Sequence, residues 1–294
     1  MILLWGHPGD EPFARVLRTL LGRGAGPAVL DQRDLITVTG AEVRTSGGLR
    51  ADLTAVSAAY LRPYDAARMP AVTRSPARTV RARAAFRAEA SLLAWADHAG
   101  ALVLNRPTPS AGNGAKAQQG RLIAAAGFAV PPGLVTDDAE ALAAFADRHG
   151  EIVAKAGSGV RARVTRADAH DPGRLARLAA CPTFFQAYVP GDDVRVHVVG
   201  DRASAVRIAS DAVDYRVPEA ATSQHRTDLP GDLADRCIGL AARLGLRLAG
   251  VDLRLAPDGT WYCFEVNPSP AFTYYADADT VADAIADLLL SRTP

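Results

Sequence analysis

The residue types best suited to chemistry stand together in one short stretch of this sequence, residues 250–269. Asp258-Gly259 in its middle is typical of a two-residue type I′ turn between strands, which predicts that Asp252 lies opposite Glu265. Asn267 follows on the same face because side chains alternate along a strand. Two opposed carboxylates repel unless a cation lies between them, and carboxylate and amide oxygens suit Mg²⁺. The stretch therefore predicts a magnesium site on one face of a β-hairpin.

The other face of the same predicted hairpin is apolar. Its period-two pattern predicts a surface that faces the protein core, formed by Val251, Leu253, Leu255, Tyr262, Phe264 and Val266. A surface hairpin with incidental acidic residues is the alternative that the pattern leaves open.

Lysine is rare in this chain: of the 33 Lys and Arg residues, only Lys116 and Lys155 are lysine. A lysine ammonium group is a compact charge that fits between phosphate oxygens, where the wider planar guanidinium group fits less well. Both lysines are therefore candidate phosphate ligands. The alternative is that they are remnants of a drift towards arginine.

The composition excludes several classes of protein. The chain has 294 residues, of which 49% are hydrophobic and 22% charged, as in ordinary globular proteins. A net charge of +1 gives no overall field for nucleic acid or an anionic membrane, so neither partner is expected. Three scattered cysteines form neither a disulfide framework nor a zinc site, and no segment has the length of a membrane span. We expect a cytoplasmic protein.

Strands and helices alternate along the first third of the chain, which predicts an open α/β domain. Over the whole chain, the predicted strands cover residues 2–5, 28–30, 58–61, 101–104, 151–156, 183–189, 196–199 and 203–208. The predicted helices cover about residues 13–21, 80–98, 115–126, 233–244 and 280–290, and a further helix is capped by Asp138. Thr280 and Asp283 have the spacing of a capping pair for the last helix.

Two common nucleotide motifs are absent. The loop after the first strand, residues 6–10, lacks the G-x-G-x-x-G pattern of dinucleotide sites. Residues 112–116 do not form a Walker loop, because Ala117 stands where Ser or Thr should bind magnesium. The six histidines show no ligand spacing, and we assign a role to none of them.

These features occur in an order that resembles the ATP-grasp carboxylate–amine ligases: two isolated lysines, a strand that ends at 186–189, Asp193-x-Arg195, and the hairpin with Asp252, Glu265 and Asn267. The resemblance covers nearly the whole chain. It is greatest to the microviridin-type ligases, which mature ribosomally made peptides, and to the ligases that add glutamate to protein tails. The segments that look like this branch are 58–64, with Leu61-Arg62-Pro63, then Asn105-Arg106-Pro107 and Asp214-Tyr215-Arg216.

The resemblance implies an α/β protein with the ATP-grasp fold and three domains. Residues 1–108 would form an N-terminal open α/β domain, the pre-ATP-grasp domain. Residues 109–187 would form a small central α+β subdomain. Residues 188–294 would form a C-terminal α+β subdomain with an antiparallel sheet, and this part would carry the metal hairpin.

The resemblance also implies a role for each candidate residue. Lys116 and Lys155 would contact the phosphates of ATP, and Asp193 would hold the ribose. The metal ligands for Mg²⁺ would be Asp252, Glu265 and Asn267, and the backbone that meets adenine would come from Gln186, Tyr188 and Val189. The catalytic cations would be Arg195, Arg207 and Arg216, which would neutralise the γ-phosphate and the acyl phosphate made from it.

Three positions depart from the pattern of the family. Ala187 stands where the family usually has Glu, Ala156 where it usually has Pro after the strand lysine, and Val217 where it often has Asn. These departures concern the ribose contact, the path of a loop and one metal or phosphate contact. They leave the hairpin untouched.

The reaction that the resemblance implies is ligation that depends on ATP and Mg²⁺. A substrate carboxylate becomes an acyl phosphate, and an amine or hydroxyl group captures it as an amide or ester. The carboxylate would belong to a ribosomally made peptide or to an amino-acid derivative. Three alternatives stay open: a small-molecule amino-acid or dipeptide ligase, a kinase, and an ATP-binding module with reduced catalysis. A homo-oligomer is also compatible with the sequence.

Overall fold

The computed structural model describes residues 1–73, 78–112, 116–155, 164–171, 173, 175, 178, 181–217 and 221–292. Within this part, the strands form four sheets, three of which correspond in order to the predicted N-terminal, central and C-terminal parts. The predicted domain boundaries remain predictions. No helix in the described ranges is long and apolar enough to cross a membrane.

The N-terminal part is the predicted open α/β unit. Its parallel sheet has the order β2-β1-β6-β7 and is built from buried apolar runs, as expected for strands covered on both faces. The strands are β1 (Ile2–Gly6), β2 (Ala28–Asp31), β6 (Ala58–Arg62) and β7 (Leu102–Leu104), and the helices are α1 (Glu11–Gly22), α2 (Pro70–Thr73), α3 (Arg78–His98) and α4 (Pro107–Ala111). A small antiparallel sheet joins β3 (Ile36–Thr39), β4 (Glu42–Thr45) and β5 (Arg50–Asp52).

The central part contains an antiparallel sheet of order β10-β9-β11-β8. The helix α6 begins after Asp138, whose carboxylate accepts a hydrogen bond from the Glu140 N–H, so the predicted cap is confirmed. The elements of this part are α5 (Lys116–Ala125), β8 (Gly133–Thr136), α6 (Ala139–His149), β9 (Ile152–Lys155), β10 (Val164–Ala167) and β11 (Thr183–Ala187).

The C-terminal part is a five-stranded antiparallel sheet of order β14-β13-β12-β15-β16. Its elements are β12 (Asp192–Val199), β13 (Arg202–Ser210), β14 (Thr222–Thr227), α7 (Gly231–Arg243), β15 (Leu248–Leu255), β16 (Trp261–Asn267) and α8 (Ala278–Leu290). Apolar side chains of α7 pack on one face of this sheet. The helix α8 packs in a cluster that also contains Ile2, Leu4 and Phe13, so its apolar stripe joins the C-terminal part to the N-terminal core.

The turn of the metal hairpin differs from the prediction. The Ala256 N–H bonds to the Thr260 carbonyl and the Gly259 N–H to the Ala256 carbonyl, so the loop has three residues rather than two. Gly259 has φ +86°, the left-handed conformation that such a loop requires. Near the turn Leu253 pairs with Cys263, one residue away from the predicted register.

A β-bulge then corrects the register. It lies between Asp252 and Leu253 and places Phe264 as the extra residue on β16, so that Asp252 pairs with Glu265 as predicted. The predicted apolar face is wrong at this point, because Cys263 packs in the core while Phe264 lines the opposite, polar face. The longer turn and the bulge shift the register in opposite directions, and their effects cancel at the two carboxylates.

The start of the last helix also differs from the prediction. Helix α8 begins at Ala278, and Asp277 is its N-cap without a capping side-chain bond. The predicted capping pair, Thr280 and Asp283, therefore lies inside the helix. Val281, Ile285 and Leu289 form a buried apolar stripe along this helix.

The edge strand β16 is held by a side chain of α5. Gln119 Nε2 donates to the Val266 carbonyl over 2.9 Å, and the Val266 N–H donates to Gln119 Oε1 over 3.0 Å. Val266 lies between Glu265 and Asn267, so the buried amide of Gln119 completes the hydrogen bonding of the strand that carries two predicted metal ligands.

We expect Gln119→Ala to lower the free energy of unfolding by about 2–4 kcal/mol, because it leaves a buried N–H and a buried carbonyl without partners. Chemical denaturation measures the change. The matched control is Gln118→Ala, one residue earlier on the exposed face of α5, which should change the free energy by less than about 0.5 kcal/mol. Equal effects of the two substitutions would contradict this role of Gln119.

Candidate functional site

A cleft lies between the central sheet and the C-terminal sheet. It encloses about 810 Å³, a volume that includes its open mouth. Its lining includes most of the predicted site residues on described segments, namely Lys155, Tyr188, Val189, Asp193, Arg216, Asp252 and Glu265, together with Asp214, Tyr215, Arg254 and Phe264.

The cleft face of the C-terminal sheet carries its polar residues in rows across three strands. Cα pairing places Arg195, Asp252 and Glu265 side by side on β12, β15 and β16. The next row along the strands is His197, Gly250 and Asn267, and the row on the other side is Asp193, Arg254 and Tyr262. Because directly paired residues share a face of the sheet, this register brings the three predicted metal ligands onto one surface with Asp193 and Arg195.

The predicted ligands offer a donor set that fits Mg²⁺. Asp252 and Glu265 present carboxylates from neighbouring strands, and the amide oxygen of Asn267 accepts one hydrogen bond, from the Ser269 N–H at 2.9 Å. An amide oxygen has a second lone pair for a cation. The described residues contain no group of three or more His, Cys, Asp or Glu side chains placed to hold a metal. The predicted donor set therefore consists of two carboxylates and an amide, all hard oxygen donors.

The loop that follows Asn267 is held by the N-terminal part. The buried amide of Asn105 donates to the carbonyls of Leu248 and Pro268, both over 2.6 Å. Arg62 donates to Ser269 Oγ and to the Pro270 carbonyl at 2.9 and 3.0 Å. Asn105 and Arg62, from the Asn-Arg-Pro and Leu-Arg-Pro segments, thus hold the start of β15 and the loop after Asn267 through hydrogen bonds.

Arg195 is a buried cation in the middle row. Its side chain forms an ion pair with Asp252, its Nε–H donates to His197 Nε2 over 3.4 Å, and its guanidinium lies 5.2 Å from the centre of the Tyr275 ring. Burial alone would lower the pKa of Arg195, but the charge of Asp252 raises it overall. Arg195 therefore stays charged beside the carboxylate.

Asp193 does not stand free for a ribose. Both of its carboxylate oxygens accept hydrogen bonds from Arg254 at 2.7–2.9 Å, and Arg254 Nη1 also donates to the Val189 carbonyl over 2.8 Å. Burial raises the pKa of Asp193 to about 6, so the group is still ionised at neutral pH. The pair fixes the 188–193 segment to the sheet, and the predicted ribose contact remains a prediction.

The segment predicted to meet adenine lines the cleft at Tyr188 and Val189. The Tyr188 N–H donates to the Glu151 carbonyl over 2.8 Å, whereas the Val189 N–H makes no hydrogen bond within the described part of the chain. Gln186 is buried beside this segment and does not line the cleft, and its Oε1 has no hydrogen-bond partner among the described residues. The adenine contact predicted for this segment stays a prediction.

The two predicted lysines have different outcomes. Lys155 ends β9 and lines the cleft, with its Nζ 4.9 Å from the centre of the Phe264 ring. Lys116 begins α5, but its side chain lies outside the part of the chain that the structure describes, as does Ala156. The role predicted for Lys116 stays a prediction.

The structure separates two of the predicted arginines. Arg216 lines the cleft and pairs with Asp214 at 2.7 Å, and this bond is the largest factor that raises the pKa of Arg216. Arg207 pairs in the sheet with Val194, which packs under α7 on the face opposite to Asp252. Arg207 is exposed and forms an ion pair with Asp192. It does not join the other site residues, because its position on β13 has the wrong parity.

Several residues of this surface were not predicted. Arg254 stands two residues after Asp252, so strand alternation could have identified it. His197 stands two residues after Arg195, but its partner Asp277 comes from a distant part of the chain and no local spacing indicates the contact. The contact between the hydroxyl groups of Tyr215 and Tyr275, 2.9 Å apart, also joins distant segments.

Comparisons with known proteins show what this chain is similar to. No family model matches the chain. A D-alanine–D-alanine ligase of Cereibacter sphaeroides (strain ATCC 17025 / ATH 2.4.3) is 35% identical over 108 residues, and the match spans 35% of that protein and 33% of this chain.

Solved structures match over the full length. The ATP-grasp ligase PsnB complexed with minimal precursor is 31% identical, with a TM-score of 0.81 and coverage of 99% of both chains. PsnB complexed with a phosphomimetic variant of minimal precursor, Mg and ADP is 28% identical, with a TM-score of 0.82 and coverage of 100% of this chain and 98% of that one. The macrocyclase MdnC from Microcystis aeruginosa MRC, bound with precursor peptide MdnA, is 19% identical and shows the fold, with a TM-score of 0.83 and coverage of 99% of both chains. The predicted fold is confirmed.

We expect Glu265→Gln and Asp252→Asn each to reduce Mg²⁺-dependent turnover by about 100-fold or more, because each removes charge from the cation site. Steady-state release of ADP measures turnover, and melting temperature checks the fold. Asp258→Asn, at the exposed tip of the same hairpin, is the matched control and should retain full activity. Full activity of a folded Glu265→Gln protein would remove the hairpin from the mechanism.

We expect Lys155→Arg to weaken nucleotide binding by roughly tenfold or more, since a charge-assisted hydrogen bond contributes about 1.5–3 kcal/mol and guanidinium does not reproduce the ammonium geometry. Calorimetric titration with ADP and Mg²⁺ measures the affinity. The exchange in the opposite direction at an exposed site, Arg202→Lys, should leave the affinity unchanged. Wild-type affinity of the Lys155→Arg protein would show that Lys155 is not a phosphate ligand.

Proposed function

The chain belongs to the ATP-grasp ligases, and from this membership we propose that it joins a peptide carboxylate to an amine or hydroxyl group through an acyl phosphate made from ATP. The observation that carries the proposal is the row of Arg195, Asp252 and Glu265 across three neighbouring strands, with Lys155 and Arg216 on the same cleft. Two carboxylates beside three cations form a surface suited to a magnesium–phosphate group.

The charges of this surface support phosphoryl transfer. Transfer of a γ-phosphoryl group to a carboxylate needs little covalent chemistry from the protein and much positioning and charge neutralisation. Arg195 and Arg216 are held by Asp252 and Asp214, so both guanidinium groups are oriented before substrate arrives. Mg²⁺, when bound by Asp252, Glu265 and Asn267, would supply further positive charge to the phosphates.

Capture of the acyl phosphate completes the proposed reaction. The nitrogen of the amine, or the oxygen of the hydroxyl group, attacks the acyl carbon. The bond from that carbon to the phosphate oxygen breaks, and inorganic phosphate leaves. The arginines that neutralise the γ-phosphate also favour departure of the phosphate, because the same charge develops on the same oxygens. The products are ADP, phosphate and an amide or ester.

The relatives support a peptide as substrate. PsnB is complexed with minimal precursor at 31% identity and with a phosphomimetic variant of minimal precursor at 28% identity. We therefore infer that a short precursor peptide supplies the carboxylate, and that the same peptide supplies the nucleophile. Each linkage formed should lower the mass of that peptide by one water molecule, which mass spectrometry detects.

A second candidate function is ligation of free amino acids. It is favoured by the match to D-alanine–D-alanine ligase, which covers about a third of that protein. ADP release stimulated by free amino acids and not by peptide would support this candidate over the first.

We predict that the reaction releases ADP and phosphate rather than AMP and pyrophosphate, because the cationic side chains and the metal face are placed to stabilise transfer of the terminal phosphoryl group. Separation of the nucleotides by chromatography after incubation with peptide measures the ratio. AMP as the main product would contradict an acyl phosphate and indicate an acyl adenylate.

We also predict that hydroxylamine traps the activated peptide as a hydroxamate when its Lys, Ser and Thr residues are replaced by Ala. Hydroxylamine reacts with acyl phosphates at the carbonyl carbon, so the unmodified peptide should suppress the trapping by competition from its own nucleophile. The control is an incubation without ATP, which should give no hydroxamate. A stable phosphorylated peptide that hydroxylamine leaves unchanged would instead support a kinase.

A further inference from the structure

A chain of buried polar side chains runs from Asp277, the N-cap of α8, to Asp252 on the cleft face of the C-terminal sheet. The Ser204 hydroxyl donates to Asp277 Oδ2 over 2.6 Å, and His197 Nδ1 lies 2.9 Å from the same oxygen. His197 Nε2 accepts the Nε–H of Arg195 over 3.4 Å, and Arg195 forms the ion pair with Asp252. His197 and Asp277 are each 1% exposed and Arg195 is 4% exposed, so the chain is shielded from solvent.

The partners of His197 determine its protonation. The Arg195 Nε–H is always a donor, so His197 Nε2 must be the acceptor and the ring proton must lie on Nδ1, where it is donated to the Asp277 carboxylate. Burial lowers the pKa of His197, and the charge of Arg195 lowers it further while Asp277 opposes these effects. A neutral histidine with one defined tautomer thus stands between a buried anion and a buried cation.

Two other interpretations of these residues do not fit. Ser204 donates to Asp277 and not to His197, so the three side chains lack the order in which a histidine activates a serine nucleophile. Both ring nitrogens of His197 have protein partners, which excludes a metal ligand at this position. What remains is a support for Arg195.

Gly250 gives independent evidence that the position of Arg195 matters. A Cβ atom on Gly250 would lie 2.0 Å from Arg195 Nη2 and 2.5 Å from its Cζ. Gly250 pairs with His197 on one side and with Asn267 on the other. The guanidinium group therefore lies against β15 at Gly250, in space that a Cβ atom at this position would occupy. The far end of an arginine normally moves away at little cost, but here His197 and Asp252 hold it in place.

The free-energy cost of burying these charged groups indicates that the guanidinium group of Arg195 must have one fixed orientation. Buried charged groups are costly to desolvate, and a surface arginine would give the same net charge without that cost. The buried chain instead fixes the Nε side of the guanidinium group through His197, and Asp252 binds one of its Nη groups.

We propose that His197 and Asp277 are positioning residues that orient the Arg195 guanidinium group towards the phosphate being transferred, a role that rests on the proposed ligase function. Asp277 orients the imidazole ring, the ring orients Arg195 through its Nε–H, and Arg195 touches the reacting group. Ser204 holds the second contact of Asp277 and so completes the support.

Two amide substitutions of His197 separate positioning from general structural support. Gln places its side-chain oxygen as many bonds from Cβ as His Nε2, so His197→Gln keeps an acceptor for Arg195. Asn places its side-chain nitrogen as many bonds from Cβ as His Nδ1, so His197→Asn keeps a donor for Asp277 and loses that acceptor. His197→Phe loses both. The exposed His225 offers the matched controls His225→Gln and His225→Asn, which should resemble wild type.

We expect His197→Gln to be more active but less stable than His197→Asn. ADP release with peptide should have a kcat within about threefold of wild type for His197→Gln and at least about tenfold lower for His197→Asn and His197→Phe, while KM for ATP changes less than about threefold. Melting temperature should be higher for His197→Asn than for His197→Gln, because Asn retains the hydrogen bond to Asp277. Gly250→Ala should lower kcat like His197→Asn. If Asn and Gln variants with folded structure have equal kcat, the proposal is wrong.

A spectroscopic measurement tests the same proposal without any turnover. Nitrogen NMR of the resting protein should show His197 protonated on Nδ1 only. The Nε–H of Arg195, assigned by its loss in Arg195→Lys, should exchange slowly with water in wild type and His197→Gln and faster in His197→Asn. A proton on His197 Nε2, or equal exchange in the two variants, would overturn the positioning role. If wild type releases no ADP with peptide, the proposed function fails, and this measurement still decides the role of His197.

Discussion

Asp252 and Glu265 face each other on neighbouring strands, and the repulsion between these carboxylates is the constraint on which the site depends. Unpaired like charges at this separation would destabilise the sheet. Arg195 compensates Asp252 from the adjoining strand, and the three side chains form one row across β12, β15 and β16. We propose that this pair of carboxylates, which the hydrogen-bonded ladder holds in register, forms a cation site. Mg²⁺ would neutralise the carboxylates of such a row, and an incoming phosphate would neutralise its arginine.

Other parts of the molecule keep this row in register. Gln119 covers the open edge of β16 at the residue between Glu265 and Asn267, and the buried Asn105 fixes the backbone at Leu248 and Pro268. The bulge at Phe264 turns both Phe264 and Glu265 towards the cleft. Asn105 belongs to the N-terminal part and Gln119 to helix α5 of the central part, so both of these parts support a row that lies in the C-terminal sheet.

Much of the site was predictable where it depended on strand alternation and turn chemistry. The pairing of Asp252 with Glu265 was predicted correctly although the turn was not, because the three-residue loop and the bulge compensate each other. Arg207 was placed wrongly, since residue type and order along the chain do not reveal on which face of β13 a side chain lies. His197 and Asp277 could not be paired from sequence, because their contact depends on how α8 packs against the sheet. The correct parts rest on local periodicity, and the missed parts rest on tertiary contacts between distant segments.

The most direct test of the cation site at Asp252 and Glu265 is the position of the divalent cation. Crystals grown with ADP and Mn²⁺, which replaces Mg²⁺ and scatters X-rays anomalously, would locate it independently of any substrate. We predict an anomalous peak about 2.0–2.2 Å from one carboxylate oxygen of Asp252 and one of Glu265. A peak held only by the nucleotide phosphates, with both carboxylates beyond direct contact and Asp252 still paired with Arg195, would contradict it.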